Sequence, residues 1–332
     1  MIRRPPRSTL SSSSAASDVY KRQLLVRVAS TAVVTQLMGG SKQQIIDALS
    51  QAWLDGSSLR TYRHAPNAGP RKSWAAGDAT SRAVRLAELT LKGEIGYPSV
   101  LTAPTWGFYD VSFKGKNFKL SQEYGSYVME NILFKISFPA EFHSQTAAEA
   151  AVKLHPLVKD RIHEIEKIVI RTHESAIRII SKVGVLNNPA DRDHCLQYMI
   201  AVPLAFGNLT AEHYEDDFHH SNPVIDQLRD KMIVEEEPKY TSEYLEADKR
   251  SIANSLQVMF TDGSETEKIE IDYPVGHRKR RREGIPLLEK KFQSNLLTAL
   301  PNDRCKEIFN LCKNQEKLAA TAVNEFMELL VP

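Results

Sequence analysis

The sequence predicts a mainly α-helical protein that carries a smaller α+β domain in the middle of the chain. Three observations predict this class. Apolar residues recur at helical spacing from Leu24 to about Pro98, they do so again after Ile285, and short alternating segments with turn residues lie between. The predicted divisions are a separate segment 1–23, part of a helical domain over 24–130, an α+β domain over 131–280, and C-terminal helices over 281–332 that return to the helical domain.

Composition excludes several classes of protein. The chain is 42% hydrophobic and 25% charged, as in ordinary globular proteins, and its net charge of +2 gives no global field for nucleic acid or a membrane surface. No apolar run reaches membrane-spanning length. The three cysteines, Cys195, Cys305 and Cys312, contain no CxxC pair, which indicates a reducing compartment and argues against a structural zinc or iron–sulfur site. We therefore expect neither a metal nor another cofactor.

The first 23 residues differ from the rest because they are rich in Arg and Ser and hold one acid, Asp18. They could be a mitochondrial transit peptide or a disordered tail, although Pro5 and Pro6 would interrupt an amphipathic helix. We favour a third interpretation, since the string resembles the translated sequencing adaptor found at the ends of assembled environmental reading frames. It then follows that native sequence ahead of Leu24 is absent.

The helices that follow have clear start and stop signals. The first ends at paired glycines, Gly39 and Gly40, and the second begins at Ser41 with Gln44 three residues on, the pattern of a capping box. A third helix is expected from about Asp78. The small residues before it would let helices and a ligand approach closely.

The α+β domain is predicted from alternating segments and one apolar helix. A hairpin is expected around Asp262 and Gly263, and the acidic stretch 212–246 is expected to be solvated surface. The predicted strands are ILFKISFP, KIVIRTH, SLQVMF and EKIEIDYP, and the predicted helices are QTAAEAAVKLHPLV, DRDHCLQYMIAVPLAFG and, at the C-terminus, IPLLEKKFQSNLLTAL, DRCKEIFNLC and NEFMELL.

A basic loop over 60–74, RTYRHAPNAGPRKSW, is the strongest candidate site by pattern. It holds five cationic or histidine side chains and no acid, and its APNAGP centre cannot be helical. Arginine binds carboxylates through two parallel hydrogen bonds, and the chain has no nucleotide-binding glycine motif, so a multiply charged carboxylate is favoured. The alternative is that these arginines pair with acids of the fold.

Three other features are weighed in the same way. His143 in EFHSQ is either part of a site at a strand end or an ordinary loop histidine, and His194 with Tyr198 is either a proton-donating pair on one helical face or surface. The histidines of 213–220 are interpreted as surface residues and not metal ligands. HRKRRRE, 277–283, is interpreted as a solvated basic linker, since no aromatic platform for nucleic acid adjoins it.

Long strings of the chain also carry a family resemblance. They resemble, in order, the 2-methylcitrate dehydratases of the MmgE/PrpD superfamily: SLRTYRHAPNAGPRKSWAAGDATSRAVRLA, GYPSVLTAPTWGFYDVSF, GSYVMENILFKISFPAEFHSQTA, LNNPADRDHCLQYM and DYPVGHRKRR. The resemblance implies a large helical lobe with an α+β lid, loss of water from 2-methylcitrate in propionate breakdown, no iron–sulfur cluster, and a homodimer. It implies cytoplasm for a bacterial protein and the mitochondrial matrix for a fungal one.

The resemblance also places site residues. Lys72 in PRKSWAAG matches a lysine in the loop before a small-residue helix, Lys135 in FKISFP a lysine before an aromatic–Pro pair, and Tyr198 in HCLQY a tyrosine on the lid helix. The superfamily's remaining Asp and His residues have no counterpart, because Gln23 stands before Leu24. We therefore expect that about a third of the family's chain is missing and that this chain has little activity alone.

The implied reaction explains why cations are needed. Removing a proton beside a carboxylate builds negative charge on a molecule that already carries three negative charges, so the site must supply cations, an acid and a base. We expect Tyr198 or His143 to donate a proton to the leaving hydroxyl, and the base to lie upstream. The residues expected to hold the carboxylates are Lys72, Lys135, Arg60, Arg63 and His64.

Two other functions stay open at this point. One is decarboxylation of cis-aconitate, another reaction of the superfamily. The other is a non-enzymatic, basic nucleic-acid-binding helical protein that uses 60–72 and 277–282.

Overall fold

The computed structural model describes residues 23–55, 62, 69–119 and 132–331, and the side chain of Lys72 is outside this description. The chain divides into two compact units, residues 1–123 and 124–332. The fold is mainly α-helical with an α+β region, as the sequence predicts. The domain boundaries at 130/131 and 280/281 stay predictions.

The first unit contains helices only among its described residues. The predicted stop after α1 is confirmed, with Gly39 at φ +84°. The capping box of α2 is also confirmed: the Gln44 N–H donates to Ser41 Oγ (3.3 Å) and the Ser41 N–H to Gln44 Oε1 (2.9 Å). The helices are α1 Gln23–Leu37, α2 Lys42–Leu54, α3 Arg71–Leu91 and α4 Phe108–Phe113.

We predicted that helix α3 begins near Asp78, but it begins at Arg71. The reason is that Pro70 precedes it with a helical φ of −57° and starts the helix. Its buried stripe has a spacing of four residues and packs against α1: Ala75, Ala79, Ala83 and Ala87 are each at most 1% exposed. The close approach predicted for the small residues holds for this stripe, whereas Ala76 and Gly77 are exposed.

The second unit combines one sheet with many short helices. Its strands are β1 Ile165–Thr172, β2 Met232–Glu236, β3 Asn254–Phe260 and β4 Ile269–Ile271. Its helices are α5 Gln145–Val158, α6 Glu174–Ile180, α7 Pro189–Arg192, α8 Leu196–Phe206, α9 Asp216–Ser221, α10 Val224–Asp230, α11 Pro238–Leu245, α12 Arg281–Leu297, α13 Asn302–Lys313, α14 Gln315–Ala320 and α15 Val323–Leu329.

The sheet has the order β2-β1-β3-β4, with β1 parallel to β2 and antiparallel to β3, and β3 antiparallel to β4. The predicted strand β1, helix α5 and hairpin β3–β4 are confirmed. Strand β2 was missed, because it lies in the acidic stretch 212–246 that the sequence suggested was solvated surface. Three of its five residues are apolar, too short a run to signal a strand, and its pairing with β1 depends on the fold.

Two other predictions were wrong. The segment ILFKISFP forms no strand in residues 132–138; it contacts the turn 274–277 through one hydrogen bond from the Phe134 N–H to the Gly276 carbonyl (3.3 Å). The stretch DRDHCLQYMIAVPLAFG is not one helix. The helical conformation is interrupted between α7 and α8, where Cys195 is extended (φ −116°, ψ 111°). His194 and Tyr198 therefore do not share one helical face.

The basic segment 277–283 is not a solvated linker. It makes one 3₁₀ turn, Arg278–Arg280, and leads into α12. The Arg280 guanidinium donates to both carboxylate oxygens of Glu149 on α5 (2.8 and 3.1 Å) and to Glu283 (2.6 Å). The segment is thus anchored to the core of its unit.

Helices α5 and α8 form the centre of that core. Every residue of α8 from Leu196 to Leu204 is buried, as expected for a helix that is apolar all round. Four buried alanines on α5, between Ala147 and Ala151, let the two helices pack closely. Because α5 starts immediately after a 3₁₀ turn, Phe142–Ser144, the core also fixes the position of His143.

Candidate functional site

His143 and Glu141 are hydrogen-bonded to each other within the turn that leads into α5. The Nδ1 atom of His143 lies 2.9 and 2.8 Å from the two carboxylate oxygens of Glu141, and the His143 backbone N–H donates to the same carboxylate (2.8 Å). Each side chain is 13% exposed, so the pair lies at the edge of the core. The structure does not place His143 in a loop after a strand, as the sequence suggested, but in an ordered turn.

The carboxylate determines which ring nitrogen carries the proton. An ionised carboxylate only accepts hydrogen bonds, so Nδ1 of His143 must be the protonated nitrogen. In the neutral ring Nε2 is then an acceptor, and it lies 3.3 Å from the hydroxyl of Tyr244, which can donate to it. Glu141, His143 and Tyr244 thus form a continuous chain of hydrogen bonds.

A second imidazole, His173, lies against this chain. Its ring stacks on Tyr244, with centroids 4.5 Å apart and an interplanar angle of 11°, and its centroid is 5.1 Å from that of His143. His173 is fully buried, and neither of its ring nitrogens has a hydrogen-bond partner among the described residues.

The surrounding chain holds the turn in place. Gln145 Nε2 donates to the carbonyls of Phe138 (2.9 Å) and Ala140 (3.0 Å), which closes the loop ahead of Glu141. Asn254 Nδ2, at the start of β3, donates to the carbonyl of His143 (2.9 Å). The backbone on each side of His143 is therefore tied to the core.

Tyr244 reaches the cluster because α11 is fastened to α6. The backbone N–H of Glu174, the first residue of α6, donates to Thr241 Oγ1 (2.9 Å), and Thr241 in turn donates to Glu236 (2.8 Å). Thr241 and Tyr244 are three residues apart and share one face of α11, so this contact brings Tyr244 next to His173.

The environment of the cluster also lowers the pKa values of Glu141 and His173. Burial acts to raise the pKa of the Glu141 carboxyl, but the hydrogen bonds and charge of His143 outweigh it and lower the pKa to about 2. Burial lowers the pKa of His173 to about 3, so this ring is neutral at physiological pH. An ionised carboxylate and a neutral imidazole therefore lie on two sides of His143.

Tyr198, the second candidate proton donor, lies in a different environment. It is fully buried in α8, and its hydroxyl donates to the backbone carbonyl of His213 (2.6 Å). Burial raises the pKa of Tyr198 to about 12. Its catalytic role stays a prediction, and it requires that the hydroxyl leave this carbonyl.

The candidate cations are placed only in part. Lys135 is exposed, and its carbonyl accepts from the Lys291 ammonium (2.8 Å). Lys72 lies in the first turn of α3, but its side chain is not described. Arg60, Arg63 and His64 lie outside the described residues.

Arg71, at the end of the basic loop, agrees with the alternative interpretation that the arginines of the loop pair with acids of the fold. Its guanidinium pairs with Asp78 (3.5 Å) and lies over the ring of Trp74 (4.3 Å to the centroid). This arginine therefore has an acid of the fold as its partner, within the first unit.

Within residues 23–55, 62, 69–119 and 132–331, no group of three or more His, Cys, Asp or Glu side chains is arranged to hold a metal ion. In the same residues no helix is both long and apolar enough to span a membrane.

Comparison with protein families agrees with the resemblance seen in the sequence. The profile of the MmgE/PrpD N-terminal domain matches residues 8–121, and that of the MmgE/PrpD C-terminal domain matches residues 138–315. The chain belongs to the MmgE/PrpD family. The Glu141–His143 turn, Tyr198 and Tyr244 all fall within the C-terminal domain of this family.

Curated MmgE/PrpD relatives share high identity with the chain. The 2-methylcitrate dehydratase of Escherichia coli K12 is 56% identical over 311 residues, which are 93% of this chain and 64% of that enzyme. The enzyme of the same name from Cupriavidus necator is 56% identical over 309 residues, 92% of this chain and 64% of that enzyme. The mitochondrial 2-methylcitrate dehydratase of Yarrowia lipolytica is 53% identical over 311 residues, 93% of this chain and 59% of that enzyme. The chain thus spans slightly less than two thirds of these relatives.

Sequence reasoning missed three members of the cluster. Glu141 could have been found, because a carboxylate two residues before a histidine can bond that ring within one turn. His173 and Tyr244 are 30 and 101 residues from His143, respectively, and no local signal connects them to it.

Proposed function

We propose that the chain forms part of a hydro-lyase that eliminates water from 2-methylcitrate to give 2-methyl-cis-aconitate, a step of propionate breakdown. The observation that carries the proposal is the 53–56% identity over at least 92% of this chain to enzymes of that name. The ordered Glu141–His143 pair supports it, because the reaction needs an acid–base side chain held at the edge of the core.

His143 suits the proton transfer at the leaving hydroxyl. A hydroxide ion is a poor leaving group, so the carbon–oxygen bond breaks more easily when a proton reaches that oxygen. A proton on Nε2 of His143 leaves positive charge on the ring, and the ionised Glu141 carboxylate lies beside it. The same carboxylate fixes the ring orientation, as the acid does in catalytic triads.

The reaction also requires positive charge near the substrate carboxylates, which the lysines can supply. The substrate has three carboxylates, and removal of a proton beside one of them adds further negative charge. We propose that Lys72, Lys135, Arg60, Arg63 and His64 bind these carboxylates. Support for Lys72 and Lys135 comes from the matched strings, and Tyr198 is retained on the same basis as a second candidate donor. The homodimer and the location in cytoplasm or mitochondrial matrix stay predictions.

The test is turnover by a chimera in which residues 24–332 replace the aligned stretch of the E. coli relative. We expect the chimera to convert 2-methylcitrate to 2-methyl-cis-aconitate, followed by NMR of the new vinylic carbon. Calorimetric binding of 2-methylcitrate to the unmodified chain, compared with its Lys135→Met variant, tests the carboxylate site separately. A folded chimera that does not dehydrate 2-methylcitrate contradicts the proposal.

The second superfamily reaction is tested in the same preparation. A decarboxylase would release carbon dioxide from cis-aconitate, whereas the dehydratase proposal expects none. No contact in the described residues favours the decarboxylase, and the names of the relatives favour the dehydratase.

A further inference from the structure

The hydrogen-bonded chain from Glu141 to Tyr244 extends the role of His143. We propose that Glu141, His143 and Tyr244 form a proton relay whose outer end is the Tyr244 hydroxyl, and that His173 is the positioning residue that holds Tyr244. The inference rests on the proposed elimination of water, and it assigns Tyr244 as the group that meets the leaving hydroxyl.

The two ring nitrogens of His143 have different contacts. Nδ1 contacts both oxygens of Glu141 within 2.9 Å, so it is not available to substrate. Nε2 lies 3.3 Å from the Tyr244 hydroxyl. A proton can therefore pass between the ring and a substrate through Tyr244, or after Tyr244 has moved away.

Tyr244 is partly exposed, and its hydroxyl lies 3.3 Å from Nε2 of His143. The contact from Thr241 to the start of α6 fixes this part of α11, so that Tyr244 keeps its place against His143. We therefore place the outer end of the relay at the partly exposed Tyr244.

The burial of His173 lowers stability, because a buried polar group without a hydrogen bond is destabilising and neither ring nitrogen of His173 has a partner among the described contacts. Its ring face packs at 4.5 Å on Tyr244, nearly parallel to it. The neutral state, which follows from its lowered pKa, also avoids a second positive charge beside His143. If His173 is a neutral aromatic ring against which Tyr244 packs, both its burial and its stacking on Tyr244 are explained.

The proposed proton transfer is balanced. The Tyr244 O–H proton moves to the leaving hydroxyl, and the carbon–oxygen bond breaks with its electron pair on that oxygen, so that water departs. The phenolate oxygen takes the proton from Nε2 of the protonated His143, which leaves a neutral ring with Nδ1–H on Glu141. The electron pair of the broken carbon–hydrogen bond forms the double bond, the carbon proton goes to a base outside this cluster, and solvent reprotonates the ring.

The relay is tested by nitrogen NMR of the unmodified 332-residue chain labelled with [15N]histidine, with His143 assigned from the loss of its signals in His143→Gln. We expect the Nδ1-protonated tautomer in the wild type and a mixture of tautomers in Glu141→Gln. In Tyr244→Phe we expect the nitrogen chemical shift of Nε2 to move toward the value of an imidazole nitrogen that accepts no hydrogen bond. A neutral wild-type ring that is protonated at Nε2 and not at Nδ1, or an unchanged Nε2 signal in Tyr244→Phe, overturns the relay.

Two substitutions of His173 test its positioning role. His173→Phe keeps an aromatic face against Tyr244, whereas His173→Ala removes it. We expect the Nε2 signal of His143 in His173→Ala to move as it does in Tyr244→Phe, and the signal in His173→Phe to stay closer to the wild type. If the alanine variant gives an unchanged signal, His173 does not position Tyr244.

Turnover separates failure of the relay from failure of the function. In the chimera, Tyr244→Phe and Glu141→Gln are each expected to lower kcat about 10- to 100-fold, within the usual range for loss of a proton-transfer group, and to change the acidic limb of the pH profile. If the parent chimera does not dehydrate 2-methylcitrate, the proposed function fails while the NMR result still decides the relay. If it does and Tyr244→Phe retains its rate and pH profile, the relay fails alone.

Discussion

Two clusters in the second unit each contain tyrosine and histidine side chains but differ in how these are bonded. In the relay cluster, Glu141, His143, His173 and Tyr244 contact one another through their side chains, and His143 is partly exposed. In the α8 cluster, defined by Tyr198, Arg192, Tyr214 and His219, Tyr198 and Arg192 donate to backbone carbonyls, and Arg192 and His219 also pair with acidic side chains.

The α8 cluster is built for stability. The Tyr198 hydroxyl donates to the His213 carbonyl, and the buried Arg192 guanidinium donates to the Tyr214 carbonyl (2.7 Å) and to Asp216. A backbone carbonyl cannot take up a proton, so these bonds hold the chain in place. The relay cluster instead joins three groups that can each gain or lose a proton. The difference shows that the bonding partner, and not the residue type, indicates where proton transfer can occur.

The largest effect should come from removing the imidazole of the relay cluster. We expect His143→Gln in the chimera to lower kcat for 2-methylcitrate by about 10²- to 10⁴-fold, as for other general acid–base residues. The matched control is His213→Gln, which changes a partly exposed imidazole in the other region and should stay within a few-fold of the parent. Equal losses in the two variants would remove the distinction between the clusters.

The next effect is on stability in acid. The pKa of His173 is lowered by burial to about 3 from the ordinary 6.5, so below pH 6.5 the unfolded chain takes up a proton that the folded chain does not. The free energy of unfolding therefore falls as the pH falls. From pH 6.5 to 5 the loss due to His173 should be about 1–2 kcal/mol, from the 1.4 kcal/mol equivalent of one pH unit.

His173→Phe should remove the part of the loss in unfolding free energy that is due to His173. The measurement is urea unfolding at pH 6.5 and pH 5. Glu141, His143 and Tyr244 face His173. Of these, the Glu141 carboxyl, with its pKa lowered to about 2 from the ordinary 4.5, loses its stabilising contribution mainly below pH 4.5. The chosen window therefore separates the two. The account of His173 as a buried neutral ring is wrong if the substitution leaves the pH dependence unchanged.

The smallest effect should come from the hydroxyl of Tyr198. Tyr198→Phe leaves the His213 carbonyl without its donor, which should lower the free energy of unfolding by about 1 kcal/mol. We expect turnover in the chimera to change less than it does in Tyr244→Phe. A loss of turnover as large as that of His143→Gln, with little loss of stability, would instead support the predicted role of Tyr198 as the donor.

Local signals in the sequence predicted most of the regular structure. The capping box at Ser41, the glycine stop after α1, helix α5 and the Asp-Gly hairpin each depend on residues within a few positions of one another. Two predictions failed because the outcome depends on a distant partner. Strand β2 forms because β1 is beside it, and residues 132–138 have strand composition but no ladder.

The same reason limits what the sequence shows of the site. His143 was found because it stands in a polar string after a proline, and Glu141 is close enough to have been recognised with it. Tyr244 and His173 are brought to it by the contact of Thr241 with the start of α6, which depends on the packing of the whole unit. The backbone bond of Tyr198 also depends on a loop that follows α8, so the sequence could not distinguish the two tyrosines.

The central claim is that the relay cluster, and not the α8 cluster, meets the substrate. The most direct measurement is a titration of the unmodified, [15N]histidine-labelled 332-residue chain with 2-methylcitrate, with His143, His213 and His219 assigned from their glutamine variants. We predict that saturating 2-methylcitrate shifts the ring signals of His143 and leaves those of His213 and His219 in place. Shifts at His213 or His219 without a shift at His143 would contradict the account.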